Sequence, residues 1–274
     1  MGFLTQLSSE YYRLLNADGY FLKPHAGLLR QPVYLWSNQK RVSERFEQQA
    51  GGGFDLGRTF SRNLQVAAEW RMQDIRWNLT SGTDSSTNFS GTTERATVHL
   101  RYDDAVAGAI SPKGTRIDIA AGSVYQTGSV SATPVLEMVT SQTFTLRQTN
   151  RFGMGTEVQT YFRRNIPDPL RFTLGGPWRL SASSIDEYRG TDIAILRGGY
   201  MRRLVNLPSA LGQGVWGSFT YEGGQVWSPE RRMIRRQDGV AGIVIPTSFG
   251  VITAAGSIGD SGHRKLFFSL GRLF

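Results

Sequence analysis

Period-two alternation of apolar and polar residues, sustained over long segments, is the feature that most constrains what this chain can fold into. Leu64, Val66, Ala68, Trp70 and Met72 alternate with Gln65, Ala67, Glu69, Arg71 and Gln73. Ala96, Val98, Leu100 and Tyr102 alternate with Arg95, Thr97, His99 and Arg101, and Ile117, Ile119 and Ala121 with Arg116, Asp118, Ala120 and Gly122. Further on, Phe152, Met154, Val158 and Phe162 alternate with Gly153, Gly155, Glu157, Gln159, Tyr161 and Arg163. Each reads as a strand with one apolar and one polar face, and helical periodicity is nowhere sustained.

Length separates two all-β architectures. Sandwich strands run about five or six residues, whereas a membrane-crossing strand needs about nine to eleven. The segments here exceed the first and carry charge all along one face, which predicts an antiparallel transmembrane β-barrel. No apolar run is long enough for a transmembrane helix. Strands are expected to start near Phe3, Gly19, Glu44, Leu64, Thr92, Lys113, Val135, Arg151, Thr191, Gly212, Met233, Gly250 and His263. That makes roughly thirteen, an odd number, whereas single-chain bacterial barrels have even ones. The first twenty residues do not read as a secretory signal. The expectation is therefore one barrel domain over residues 1–274, shortened at its N-terminus.

Short turns are expected at residues 16–19, 60–63, 149–150 and 246–250. Long polar loops are expected at residues 31–43, 79–91 and 165–190, on the opposite, extracellular end. Trp36, Trp77, Trp227, Tyr34 and Tyr125 fall at the outer strand ends, and Tyr20, Phe60 and Tyr102 at the inner ends, as interfacial girdles would require.

The net charge of +9 resides largely on the polar faces, in Arg71, Arg95, Arg101, Arg116, Arg151, Arg163, Arg197 and Arg203. A charge facing lipid costs about 2–4 kcal/mol at the midplane, so these residues are placed in the lumen, opposed by Glu69, Asp118, Glu157 and Glu222. A salt-bridged, packed interior is favoured over an anion-guiding conduit, since small barrels fill their interiors with side chains. Nucleic-acid binding would need the basic residues clustered on one exposed surface, and it is set aside. Gly259-Asp260-Ser261-Gly262 copies the surroundings of a serine nucleophile, but a tight turn accounts for it and no triad is apparent. The three histidines, His25, His99 and His263, are scattered and the chain has no cysteine, so no metal site and no cofactor are expected.

The last twelve residues, HRKLFFSLGRLF, read as a closing strand with Leu266, Phe268, Leu270 and Phe274 on one face. Phe268, Leu270, Gly271 and Phe274 form a candidate barrel-assembly signal. Residues 170–204, LRFTLGGPWRLSASSIDEYRGTDIAILRGGYMRRL, then bring in a family likeness. This stretch resembles the long sixth extracellular loop of the bacterial surface antigen superfamily, most closely its branch fused to patatin-like phospholipases. Phe172, Leu174, Gly175, Gly176, Leu180 and Ser181 carry the likeness. Glu222 followed by Gly224 matches an acidic residue two before a glycine on the strand after the loop. Five strands after the loop fit a sixteen-stranded layout, which implies that about three N-terminal strands are lacking. The chain departs from the family where an arginine-glycine-aromatic triplet would dock on the acidic residue. Here Ser181, Ala182 and Ser183 stand at those positions, and Arg179, two residues earlier, is the candidate partner of Glu222.

The resemblance implies an outer-membrane barrel that anchors a patatin-like passenger, and passes or displays it, with the loop folded into the lumen. Implied partners are outer-membrane lipids and lipopolysaccharide, the outer-membrane assembly machinery and an N-terminal passenger. No catalysis is expected from this chain. The alternatives are a porin-like pore and the barrel of an assembly or translocation factor.

Overall fold

The computed structural model describes residues 4–84, 86–106, 113–126, 132–147, 149–163, 165–208, 214–228, 233–247 and 250–271. One antiparallel sheet accounts for most of them. Its strands are β1 (Thr5–Glu10), β2 (Arg13–Leu14), β3 (Tyr20–Ser37), β4 (Lys40–Thr59), β5 (Leu64–Gly82), β6 (Phe89–Asp103), β7 (Gly114–Gln126), β8 (Thr133–Thr145) and β9 (Asn150–Tyr161). After a long loop come β12 (Asp192–Val205), β13 (Val215–Trp227), β14 (Ile234–Thr247), β15 (Gly250–Gly259) and β16 (Arg264–Gly271). The loop contains a separate two-stranded ladder, β10 (Phe172–Leu174) with β11 (Tyr188–Gly190).

Each strand pairs with its sequence neighbour, except that β9 pairs across the loop with β12. β1 and β2 are two halves of one crossing, since both pair with β3. Among the described residues the sheet therefore has thirteen crossings, the number expected. Among the described residues no ladder joins β1 to β16, and both are free edges. The sheet nevertheless curls around the loop, which touches Trp77 of β5 on one side and Phe267 of β16 on the other.

Burial is inverted relative to a water-soluble protein. Asp55, Glu157, Glu222 and Asp238 are buried on the inner face, while Leu196, Phe219, Leu266 (91% exposed), Phe268 and Leu270 stand bare on the outer one. An apolar outer face and a polar lumen are what a transmembrane barrel needs.

The loop expected over residues 31–43 is strand instead. β3 and β4 run on for 18 and 20 residues and meet in a two-residue turn at Asn38 and Gln39, with φ of 49° and 64°. Both central residues are left-handed, which suits the twist of a tight hairpin. Polar composition misled here because strands that extend beyond the bilayer are polar without being irregular. β5 ends at Gly82 and β6 begins at Phe89, so strand takes up much of the loop expected over 79–91 as well.

Candidate functional site: a loop docked on the inner face

The chain leaves β9 and turns back toward the sheet over a single 3₁₀ turn, Asp168–Leu170. Arg171 braces this turn through Asp168 (3.1 Å) and the Ile166 carbonyl (3.1 Å). The β10–β11 ladder then places Phe172 opposite Gly190 and Leu174 opposite Tyr188. One face of it packs on the wall, where Phe172, Leu174, Leu180 and Tyr188 join Val124, Val135, Tyr161, Ile193, Ile195 and Val226 in one apolar cluster. The Phe172 ring stacks on Tyr161 with centroids 4.5 Å apart. Gly175 takes φ of +127°, and a Cβ there would lie 2.3 Å from the Ser184 carbonyl oxygen, so only glycine fits. Gly176 (φ +100°), Trp178 (φ 64°) and Leu180 (φ 70°) continue the left-handed path and fold the segment into a compact tip.

The tip rests on two carboxylates. The Ser181 N–H donates to Glu222 Oε2 at 2.7 Å and the Ser181 hydroxyl to Oε1 at 3.1 Å. The Ala182 N–H donates to Asp238 Oδ2 at 2.6 Å, and the Ser257 hydroxyl donates to the Ser181 carbonyl at 2.8 Å. Glu222 and Asp238 face each other across the β13–β14 ladder, and Glu222 is fully buried (0% exposed). Buried carboxylates are costly unless hydrogen-bonded, and here backbone amides supply the donors. Gly224 completes the seat, because a Cβ there would lie 3.0 Å from both Leu174 Cδ2 and Leu180 Cδ1. The acidic-x-glycine spacing thus has a physical meaning: the acid holds the tip and the glycine admits the apolar residues behind it.

Arg179 is not the partner of Glu222. Its guanidinium pairs with Glu157 of β9 (2.6 and 3.1 Å) and donates to the Thr173 carbonyl at 2.8 Å. The reason is local. The left-handed residues around Arg179 turn the tip's backbone amides, rather than this side chain, onto β13 and β14. Arg197 of β12 donates to the Trp178 carbonyl at 2.9 Å. Four further contacts tie the loop to the C-terminal strands. Trp178 meets Phe267 edge-on at 5.8 Å, and Lys265 donates to Ser184 at 3.0 Å. Arg236 donates to the Tyr188 hydroxyl at 3.0 Å, and His263 faces Glu187 at 3.2 Å.

Most of the arginines assigned to the lumen share the inner face. Arg95 pairs with Glu137 (2.8 Å), Arg101 with Asp118 (3.1 Å) and Arg116 with Asp103 (3.1 Å), while Arg71 lies 3.6 Å from Glu69. Arg151 and Arg203 lie 4.3 Å and 5.7 Å from the ring centroid of buried Trp216, whose neighbours include Val244 and Val251. Arg163 is the exception. It falls beyond the end of β9 and is exposed, because the strand stops at Tyr161 where the loop departs. Trp77 is a second correction. It faces inward, fully buried, under Arg45 at 4.2 Å and near Arg189 at 5.8 Å, so it belongs to no interfacial girdle.

Arg45, stacked over Trp77, pairs with Asp84 at 2.7 and 3.1 Å and donates to the Ser86 and Thr87 carbonyls. Burial opposes the charge on Asp84, but hydrogen bonds from Arg45 and the Ser86 N–H outweigh it and hold the carboxyl below its ordinary range.

Two of the three histidines, His25 and His99, converge on Glu69. His99 Nε2 lies 2.7 Å from Glu69 Oε2, and His25 Nε2 lies 3.9 Å from Glu69 Oε1. Hairpin pairing of β3 through β6 brings together positions far apart in sequence. The Gly259–Gly262 motif is a turn, with a 3₁₀ segment at Asp260–Gly262. Phe268, Leu270 and Gly271 lie on the free edge strand β16, with the first two pointing outward; Phe274 lies outside the described residues. Asp238 and Ser257 were not singled out from the sequence. Their role depends on ladder register, and the Asp238-Gly239 pair was the available hint.

Solved barrels share this architecture. BamA from Haemophilus ducreyi, in a structure lacking POTRA domains 1–3, matches with a TM-score of 0.72 at 9% identity over 97% of this chain and 61% of that one. CdiB from Acinetobacter baumannii matches with 0.65 at 14% identity, over 96% and 48%, and CdiB from Escherichia coli with 0.65 at 11%, over 96% and 52%. The fold is that of these transmembrane β-barrels, and the chain spans about half to three fifths of their length. No protein-family model and no curated protein sequence matches the chain.

Proposed function

We propose that the chain is an outer-membrane barrel domain that anchors an N-terminal passenger and passes or displays it, with residues 165–190 as its lumen plug. The docking of the Ser181–Ala182 tip on Glu222 and Asp238 carries this reading. A loop held by buried carboxylates, an apolar cluster and contacts to Trp77 of β5 and Phe267 of β16 occupies the interior that a diffusion pore would leave open. The likeness to BamA and CdiB supports the outer-membrane placement and a part in assembly or translocation. The sequence resemblance makes a patatin-like hydrolase the favoured passenger, with any catalysis residing there. The outward apolar band meets lipid and lipopolysaccharide. On this reading about three further strands complete the sheet between the edges of β16 and β1.

Planar-bilayer recording of the full protein tests the plug. The expected trace is mostly closed, with openings that become more frequent in Glu222→Ala. A steady large conductance in the unaltered protein would favour the porin-like alternative.

A further inference from the structure

Away from the docked loop, the inner faces of β3, β4 and β5 bring His25, Asp55 and Glu69 together. One ligand-type atom from each lies within 4.8 Å of the other two. His25 Nε2 is 3.5 Å from Asp55 Oδ1 and 3.9 Å from Glu69 Oε1. A tetrahedral ion with bonds of about 2.0–2.1 Å separates its ligands by about 3.3 Å, so the two His25 distances need to close by well under an ångström and the Asp55–Glu69 pair, within 4.8 Å, by at most about 1.5 Å.

The oxygens that face His25 are backed by their partners. Asp55 Oδ2 is held by Lys23 at 2.7 Å. Glu69 Oε2 accepts from Thr97 at 3.2 Å and meets His99 Nε2 at 2.7 Å. Each carboxylate therefore has one oxygen fixed from behind and the other turned toward His25, the arrangement by which outer-shell groups orient metal ligands. Arg71 Nε is 3.6 Å from Glu69 Oε1 and makes no hydrogen bond there. Gly53, opposite His25 in the ladder, adds no side chain to the recess. All three ligating residues are largely shielded, with side chains 21%, 11% and 11% exposed.

We propose that His25, Asp55 and Glu69 form a site for one divalent transition-metal ion, zinc being the best match to one imidazole and two carboxylates with a position left for water. Such an ion would stitch three consecutive strands near the β1 edge. The proposal stands apart from the plug, since no residue of the loop takes part.

Titrating the untagged, chelator-treated full protein in detergent with zinc alone tests the site by calorimetry and by metal content after gel filtration. The expected result is one equivalent bound, at least tenfold weaker in His25→Ala and Asp55→Asn and unchanged in His263→Ala. His25→Phe keeps the ring's bulk without a ligand, and heat-modifiable gel mobility selects folded variants for comparison. Absence of saturable binding, or binding in His25→Ala and His25→Phe as tight as in the unaltered protein, overturns the proposal.

Discussion

Glu222 accepts two hydrogen bonds from Ser181, one from its backbone N–H at 2.7 Å and one from its hydroxyl at 3.1 Å. The carboxylate thus reads the shape of the loop backbone rather than a charge on it. Removing it leaves a buried N–H without its partner, which costs about 1–3 kcal/mol. With Ala182→Cys as the only cysteine in the chain, Glu222→Ala should speed tip labelling by an impermeant maleimide at least about fivefold. Glu222→Gln keeps an acceptor and should have a smaller effect.

Arg179 and Glu157 form a pair separate from that seat, at 2.6 Å. A double-mutant cycle on loop protection should give a coupling of about 0.5–3 kcal/mol between them. The corresponding cycle between Arg179 and Glu222 should be additive within about 0.5 kcal/mol. Strong coupling in the second cycle would restore Arg179 as the latch.

Gly224 leaves room for Leu174 and Leu180, each 3.0 Å from where its Cβ would lie. Gly224→Leu should overpack this contact at a cost of about 1–3 kcal/mol. The expected readout is a lowered unfolding temperature in heat-modifiability gels, together with faster tip labelling. Gly223→Ala on the opposite face, where a Cβ meets nothing within 4 Å, is the control.

Asp84 gives the outer connection a pH dependence. Its carboxyl is held below the ordinary range in the folded protein, chiefly by Arg45 working against burial. The unfolded chain binds its proton first as pH falls, so the stabilising contribution is complete above the ordinary carboxylate pKa of about 3.9 and is lost as pH drops through the lower folded value. Hydrogen exchange over residues 79–89, corrected for intrinsic rates, should stay slow at pH 5 and rise toward pH 3. In Asp84→Asn it should be fast at both.

The strand layout was legible because alternation survives wherever one face meets lipid and the other a polar lumen, as at residues 64–73 and 95–102. The seat of the loop was half legible. Glu222 and Gly224 stood out by spacing, and the left-handed glycines by the family likeness. Arg179 was misassigned because matching by side-chain charge cannot see a backbone N–H as the donor. Asp238, and the meeting of His25 with Glu69, depend on ladder register between strands, which no local pattern encodes. Trp77 looked like a girdle residue by its position near a strand end, but its parity places it on the inner face.

The central claim, that the tip sits against β14 and β15 inside the sheet, is tested most directly by a disulfide between Ala182→Cys and Gly259→Cys. A Cβ at Gly259 would lie 3.0 Å from that of Ala182, about half an ångström inside the usual disulfide separation, so the bond forms once the two backbones part slightly and Asp238 Oδ1 shifts, its Oδ2 still facing the Ala182 N–H. Since the native chain has no cysteine, the pair reports on this contact alone. The docked loop predicts near-complete crosslinking of membrane-inserted protein under mild oxidation, seen as a gel-mobility shift reversed by reductant. A double variant that stays reduced, with the cysteine at position 182 freely labelled from outside, would contradict it.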